Sequence, residues 1–166
     1  MEKAIVLSLA MAVMLSGVAR AQAPSAPPPP PTTPYGLAIG IDNAKQVAAA
    51  AVAKAKEVSG APDAVAIVGP GGGLVYFELM DNTSNGAAEN AIDEARSAAL
   101  FRRPTNAFED ALVGGRMAIL ALRGAVPLTG GVPLVKDGKI VGAIGVGGGT
   151  APQDGQVAEA GAAALK

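Results

Sequence analysis

The 166-residue chain predicts an α+β domain, an antiparallel sheet packed with helices, on three observations. Asp137-Gly138 separates two short apolar runs, the strongest short-range hairpin signal because both turn positions must accept positive φ. Two further strand-like segments flank Pro70-Gly71-Gly72. Helical patterns lie around these adjacent hairpins rather than alternating with single strands, which favours antiparallel pairing over βαβ units.

The elements follow in order. Residues 1–21 stand outside the fold: Lys3 gives a basic start, Ala4 to Val18 carries no charge, and Ala19-Arg20-Ala21 has the small-x-small form of a signal-peptidase site. The apolar stretch falls short of the roughly 20 residues a membrane span needs. Cleavage near Ala21 would deliver a periplasmic or secreted protein. Ala23 to Pro34 (APSAPPPPPTTP) is a polyproline II spacer, of roughly 30–35 Å at about 3.1 Å per residue. Residues 22–36 are therefore a linker, and 37–166 the folded domain.

Ala44, Val47, Ala48, Ala51, Val52, Ala55 and Val58 recur at helical spacing, with Asp42 as N-cap and Gly60 at C′. Asp63–Gly69 and Gly73–Met80 are the first two strands, with glycines serving the turn; no GK[ST] ending marks a phosphate loop. Ser84 or Asn85 caps a second helix running to about Arg102, striped by Ala88, Ala91, Ile92, Ala95 and Ala99. Thr105 caps a third, ended by Gly114-Gly115. Val126–Leu128 and Val132–Val135 are expected as short strands, Lys139–Val146 pairs back across Asp137-Gly138, and a last helix starts near Gln153.

Composition removes whole classes of chemistry. With no cysteine or histidine there is no disulfide, no zinc or other His/Cys-ligated metal site and no Ser-His-Asp triad. Losing Glu2, Lys3 and Arg20 changes the formal charge from −1 to −2, no footprint for nucleic acid. Two tyrosines, three phenylalanines and no tryptophan offer little for base stacking.

Two segments carry chemistry. Arg96, Arg102 and Arg103 cluster near the end of the second helix, and guanidinium forks suit carboxylates and phosphates; cations are equally favourable at a helix C-terminus without any ligand. Ser97 lies one turn before Arg102. The GVGGGTAPQD loop exposes backbone N–H groups just before a helix, where a small anion could sit. There Gly147 and Gly148 permit close approach, and Thr150 and Asp154 can donate and accept hydrogen bonds; a plain β-to-α connection fits the same residues.

ARSAALFRRPT, the GG-x-P-x-x-x-D-G-x-x-V-G-A-I-G-V-x-G pattern and the QD after it resemble the GlcG/HbpS family over nearly all of Leu37 to Leu165. The resemblance implies a profilin-like fold, homo-oligomers that can be octameric, and haem binding in exported members. Ser97 stands where members commonly carry threonine. Haem ligation in the family involves a threonine in one branch and a histidine in another. Here Ser97, Thr105, Tyr76 and Met80 are the available iron donors, and neutral hydroxyls are poor ones.

The expected function is an oligomeric binder of haem or another planar carboxylate, in uptake or redox response. Arg96, Ser97, Arg102, Arg103, Thr105, Gly147, Gly148, Thr150 and Asp154 are its candidate ligand contacts. The alternative is a cofactor-free isomerase or hydrolase acting on a small organic acid, with Asp154 first and Glu109 and Glu78 next as acid/base groups. A third reading, an accessory protein whose alanine faces close an oligomer, rests on the helices alone.

Overall fold

The two hairpins join into one four-stranded antiparallel sheet, in the order β2-β1-β4-β3. The computed structural model describes residues 32–58, 60 and 63–166. The expected signal peptide and most of the proline-rich linker lie outside the described residues. β1 (Ala64–Val68) and β2 (Leu74–Leu79) form the first hairpin, and β3 (Gly131–Lys136) and β4 (Lys139–Gly147) the second. Asp137 (φ 50°) and Gly138 (φ 70°) both turn left-handed, as the tight hairpin requires. β1 and β4 then pair at the centre, from Ala64 opposite Gly147 to Val68 opposite Ala143.

α1 (Ile41–Val58) and α4 (Ala151–Ala163) pack on each other over one face, and α2 (Asn85–Phe101) covers the other. Strand alternation sorts the core accordingly. Val65, Ile67, Ile144 and Val146 meet Val47, Ala48 and Ala51 of α1. Ala64, Ala66, Val68 and Ala143 meet Ala91, Ala95, Ala98 and Ala99 of α2. With both faces covered, every residue of β1 is buried, hence its unbroken apolar sequence. Pro133 sits on edge strand β3, where a missing N–H is tolerated.

The α2 face is unusually close. A Cβ at Gly145 would fall on the Ala91 carbonyl and the Ala95 N–H, and one at Gly131 on the Glu94 carbonyl. Helix backbone therefore lies directly on strand backbone, with only alanine methyls between.

Four local expectations change. Asp42 lies in the first turn of α1, inside the helix that begins at Ile41, rather than at its N-cap. Val126–Leu128 forms no strand; its backbone is held by a side chain instead, Val126 N–H donating to Ser97 Oγ at 3.1 Å. Thr105 occupies the N-cap of α3 (Asn106–Val113) but its side chain does not cap the helix. Its hydroxyl is used by the Gly131 and Gly130 N–H groups, at 2.9 and 3.4 Å. α4 starts at Ala151, two residues early, because Gln153 Oε1 accepts from Thr150 N–H (3.0 Å) and Thr150 Oγ1 (2.8 Å). Beside β4, Pro34 and Gly36 bond the backbone of Ile140, so the last linker residues are tied to the sheet.

The close face makes a direct prediction. Gly145→Ala should destabilise the fold by about 3 kcal/mol, the upper end of overpacking costs. Gly71→Ala, with open space around the added methyl, should stay within about 0.5 kcal/mol. Urea midpoints of the two variants against the parent check both.

Candidate functional site

Where β4 runs into α4, the first turns of α2 and α4, Leu128-Thr129 and Gly147–Gly149 enclose an open cavity of about 450 Å³. That is within the usual range for small-molecule pockets, about 300–1,000 Å³. Two acids line it, Glu94 from α2 and Asp154 from α4.

Glu94 sits on the buried stripe of α2, three residues after Ala91 and four before Ala98. It is 3% exposed, and its Oε2 has no hydrogen-bond partner among the described residues. A Cβ at Gly130 would fall on that oxygen, so glycine there makes the room. Burial pushes the Glu94 carboxyl up to about 9, and the nearby charges of Asp154 and Glu109 add to the effect. At neutral pH it is an uncharged acid with an O–H to give.

Asp154 is in the first turn of α4, and its Oδ1 accepts from Gly149 N–H at 2.9 Å. Burial pushes this carboxyl up to about 6 against the pull of the Gly149 N–H; the charge of Asp63 raises it further and the Gly148 N–H lowers it. Asp154 is thus mostly ionised at pH 7. Glu109 of α3 accepts from the Thr129 hydroxyl beside the cavity.

The expected ligand residues divide. Gly147, Gly148 and Asp154 line the cavity. Thr150 is exposed and caps α4 through Gln153. Ser97 and Thr105 are fully buried behind the wall, fixing segment 126–131 through the backbone bonds given above. The arginines lie elsewhere in the chain. Arg96 bonds the Gly72 carbonyl (3.4 Å) and Asp93 (3.3 Å), Arg102 stacks 5.2 Å from the Tyr35 ring centre, and Arg103 5.5 Å from that of Phe108. Glu78 accepts from the Tyr76 hydroxyl on β2.

Sequence reasoning missed Glu94. Its signal was an acid set at the register of an apolar helical stripe, which solvated-face readings of charged residues pass over. Among the described residues, no group of three or more His, Cys, Asp or Glu is arranged to hold a metal.

The model of the family described as haem degrading protein HbpS-like matches residues 39–163. The chain belongs to the HbpS-like family. Protein GlcG of Escherichia coli (strain K12) is 40% identical over 82 residues, 49% of this chain and 61% of GlcG. The match thus spans less than two thirds of that relative. The crystal structure of HbpS superposes with a TM-score of 0.72 at 29% identity, covering 79% of this chain and 92% of HbpS. The PduOC:heme complex superposes at 0.70 and 25% identity, covering 78% and 96%. The α+β architecture expected of this HbpS-like chain is that of its solved relatives. The family is described as haem degrading, and the PduOC relative was solved in complex with haem.

The Glu94 carboxyl sets a pH dependence. Folding lifts it from 4.5 to about 9, so the folded state binds more protons than the unfolded one across that interval, and stability falls as pH rises through it. Asp154 acts with the same sign, between 3.8 and about 6. Above pH 6 the decline is therefore due to Glu94, and Glu94→Gln should flatten it. Urea midpoints at pH 6 and 9 should diverge for the parent and nearly coincide for the variant.

Proposed function

We propose that this HbpS-like chain is an exported, homo-oligomeric small-ligand-binding protein, and that the cavity beside the glycine loop receives the ligand. One observation carries the reading: Glu94, almost wholly buried, lines the cavity, and its Oε2 has no hydrogen-bond partner among the described residues. A buried polar atom without a partner is costly, about 1–3 kcal/mol, and a ligand that accepts its proton removes the cost. The first turns of α2 and α4 border the same space, presenting the positive ends of two helix dipoles. A neutral acid between two such ends suits a small organic carboxylate.

Haem is the second reading, favoured by the PduOC:heme relative and the family description. The iron donors of this chain do not fit it. There is no histidine or cysteine. Met80 Sδ accepts from Asp63 N–H at 3.4 Å, and the Tyr76 hydroxyl donates to Glu78 at 3.1 Å. Ser97 and Thr105 are buried and hold backbone N–H groups. We place the small carboxylate first. The arginine cluster then serves a ligand only across a subunit boundary, in the oligomer the family resemblance implies.

Titration with haemin and, separately, with pyruvate and succinate tests the order. The expected result is carboxylate binding weakened at least about tenfold by Glu94→Ala, the scale of one hydrogen bond to a charged group, with no saturable Soret shift. A saturable Soret shift with no carboxylate binding reverses it. Light scattering should give a mass above one protomer, and the mature protein should begin at Gln22.

A further inference from the structure

We propose that Glu94 and Asp154 form a proton-transfer pair, which enolises a small 2-oxo acid held in the glycine-loop cavity. This rests on the cavity being the ligand site, and goes beyond it by assigning chemistry to the two acids.

The geometry comes first. The two carboxyls reach one cavity from different helices, Glu94 from the third turn of α2 and Asp154 from the first turn of α4. They are close enough that the charge of Asp154 acts on Glu94. Their surroundings differ in kind. Asp154 is fixed by the Gly149 N–H, and a carboxylate has about four lone-pair sites, so capacity remains for a substrate proton. Glu94 Oε2 receives nothing among the described residues. One acid is thus kept as an anion by backbone donors while the other is kept neutral by burial. Two carboxyls driven apart in this way take opposite roles, one base and one acid.

The step balances without an oxidant or reductant. The Asp154 carboxylate takes a proton from the carbon next to the carbonyl, forming an O–H bond. The C–H electron pair becomes the C=C bond of the enol, and the carbonyl π pair moves to oxygen. That oxygen takes the proton of Glu94, which is left ionised. One negative charge passes from Asp154 to Glu94, and the total in the cavity does not change. With Glu94 almost wholly buried, that conservation matters, because creating a second charge is what burial penalises most. Reversal with a solvent-derived proton gives exchange at carbon; completion elsewhere on the substrate gives isomerisation.

The other titratable groups around the pair are Glu109 of α3, whose charge reaches Glu94, and Asp63, just before β1, whose charge reaches Asp154. Both are acids, and no lysine or arginine lines the cavity among the described residues. The carboxylate of a 2-oxo acid therefore has the N-terminal turns of α2 and α4 as its counter-dipoles. An uncharged ketone lacks that contact, so the proposal includes a preference for the acid.

The full-length mature protein, incubated with pyruvate in deuterium oxide, tests the pair by proton NMR of the methyl group. Dihydroxyacetone is the uncharged comparison, and saturation-transfer NMR reports binding in the same tubes. The expected result is methyl exchange at least about tenfold above buffer, slower for dihydroxyacetone. Asp154→Asn and Glu94→Gln should each lower it by about a hundredfold, the lower end of general acid–base contributions. Glu94→Asp should recover part of the rate, which a merely structural glutamate would not do. The rate should rise with pH through about 6 and fall through about 9, following the base and the acid. Binding of pyruvate without exchange overturns this inference and leaves the binding site standing. Exchange indifferent to both substitutions also overturns it. Absence of pyruvate binding removes both readings for this acid.

Discussion

Direct backbone contact between α2 and the sheet is the constraint on which the rest depends. Gly145 and Gly131 leave no room for a side chain under the helix, and Ala91, Ala95, Ala98 and Ala99 add only methyl groups to the gap. A helix held this close has no space for a larger residue on its inner face. Apart from the small Ser97, Glu94 is the exception among the buried residues of α2, and it is accommodated because Gly130 and the cavity open beside it. The same contact therefore stabilises one half of the core through close packing and forces one acid out of water.

The acids at that end of the molecule are sorted by what the backbone offers each. Asp154 follows a glycine loop, and the Gly149 and Gly148 N–H groups moderate the effect of its burial. Glu94 is deep in a helix whose own N–H groups are committed to the helix, so nothing in the backbone offsets its desolvation. Thr105 and Ser97 take part indirectly. Each accepts from backbone N–H groups of segment 126–131 and so fixes the wall carrying Leu128 and Thr129. Hydroxyls used in this manner position the cavity without entering it.

Much of the architecture was legible because its signals are local. The Asp137-Gly138 turn, the alanine stripes and the Ser84 cap each depend on a few neighbouring residues, and the Ser84 oxygen does accept from Ala87 N–H. What was illegible depended on distant partners. Val126–Leu128 has strand-like composition, yet its Val126 N–H is taken by the Ser97 hydroxyl of α2 rather than by a neighbouring strand. Thr105 has the sequence of a cap, but the Gly131 N–H reaches its hydroxyl from another element. Arg96, Arg102 and Arg103 are near in sequence but radiate from a helix end, toward Gly72, Tyr35 and Phe108. Gly147, Gly148 and Asp154 line one cavity because the loop and its helix are contiguous. Glu94 joins them only through the packing of α2 across the sheet.

The relation to haem-binding relatives turns on the hydrogen-bonding capacity left after folding. Met80, Tyr76, Ser97 and Thr105 are each engaged within the chain. Recruiting any of them to a ligand would forfeit an existing bond and leave its former partner unsatisfied, about 1–3 kcal/mol where that partner is buried. Glu94 Oε2 carries no such penalty, because its desolvation has already been borne in folding and no bond has offset it. The free energy available for recognition therefore concentrates at Glu94 Oε2, a buried acid oxygen without a hydrogen-bond partner among the described residues. A fold shared with haem proteins can for this reason hold a different ligand: the scaffold sets where the cavity lies, and the uncommitted atoms within it set what chemistry it favours.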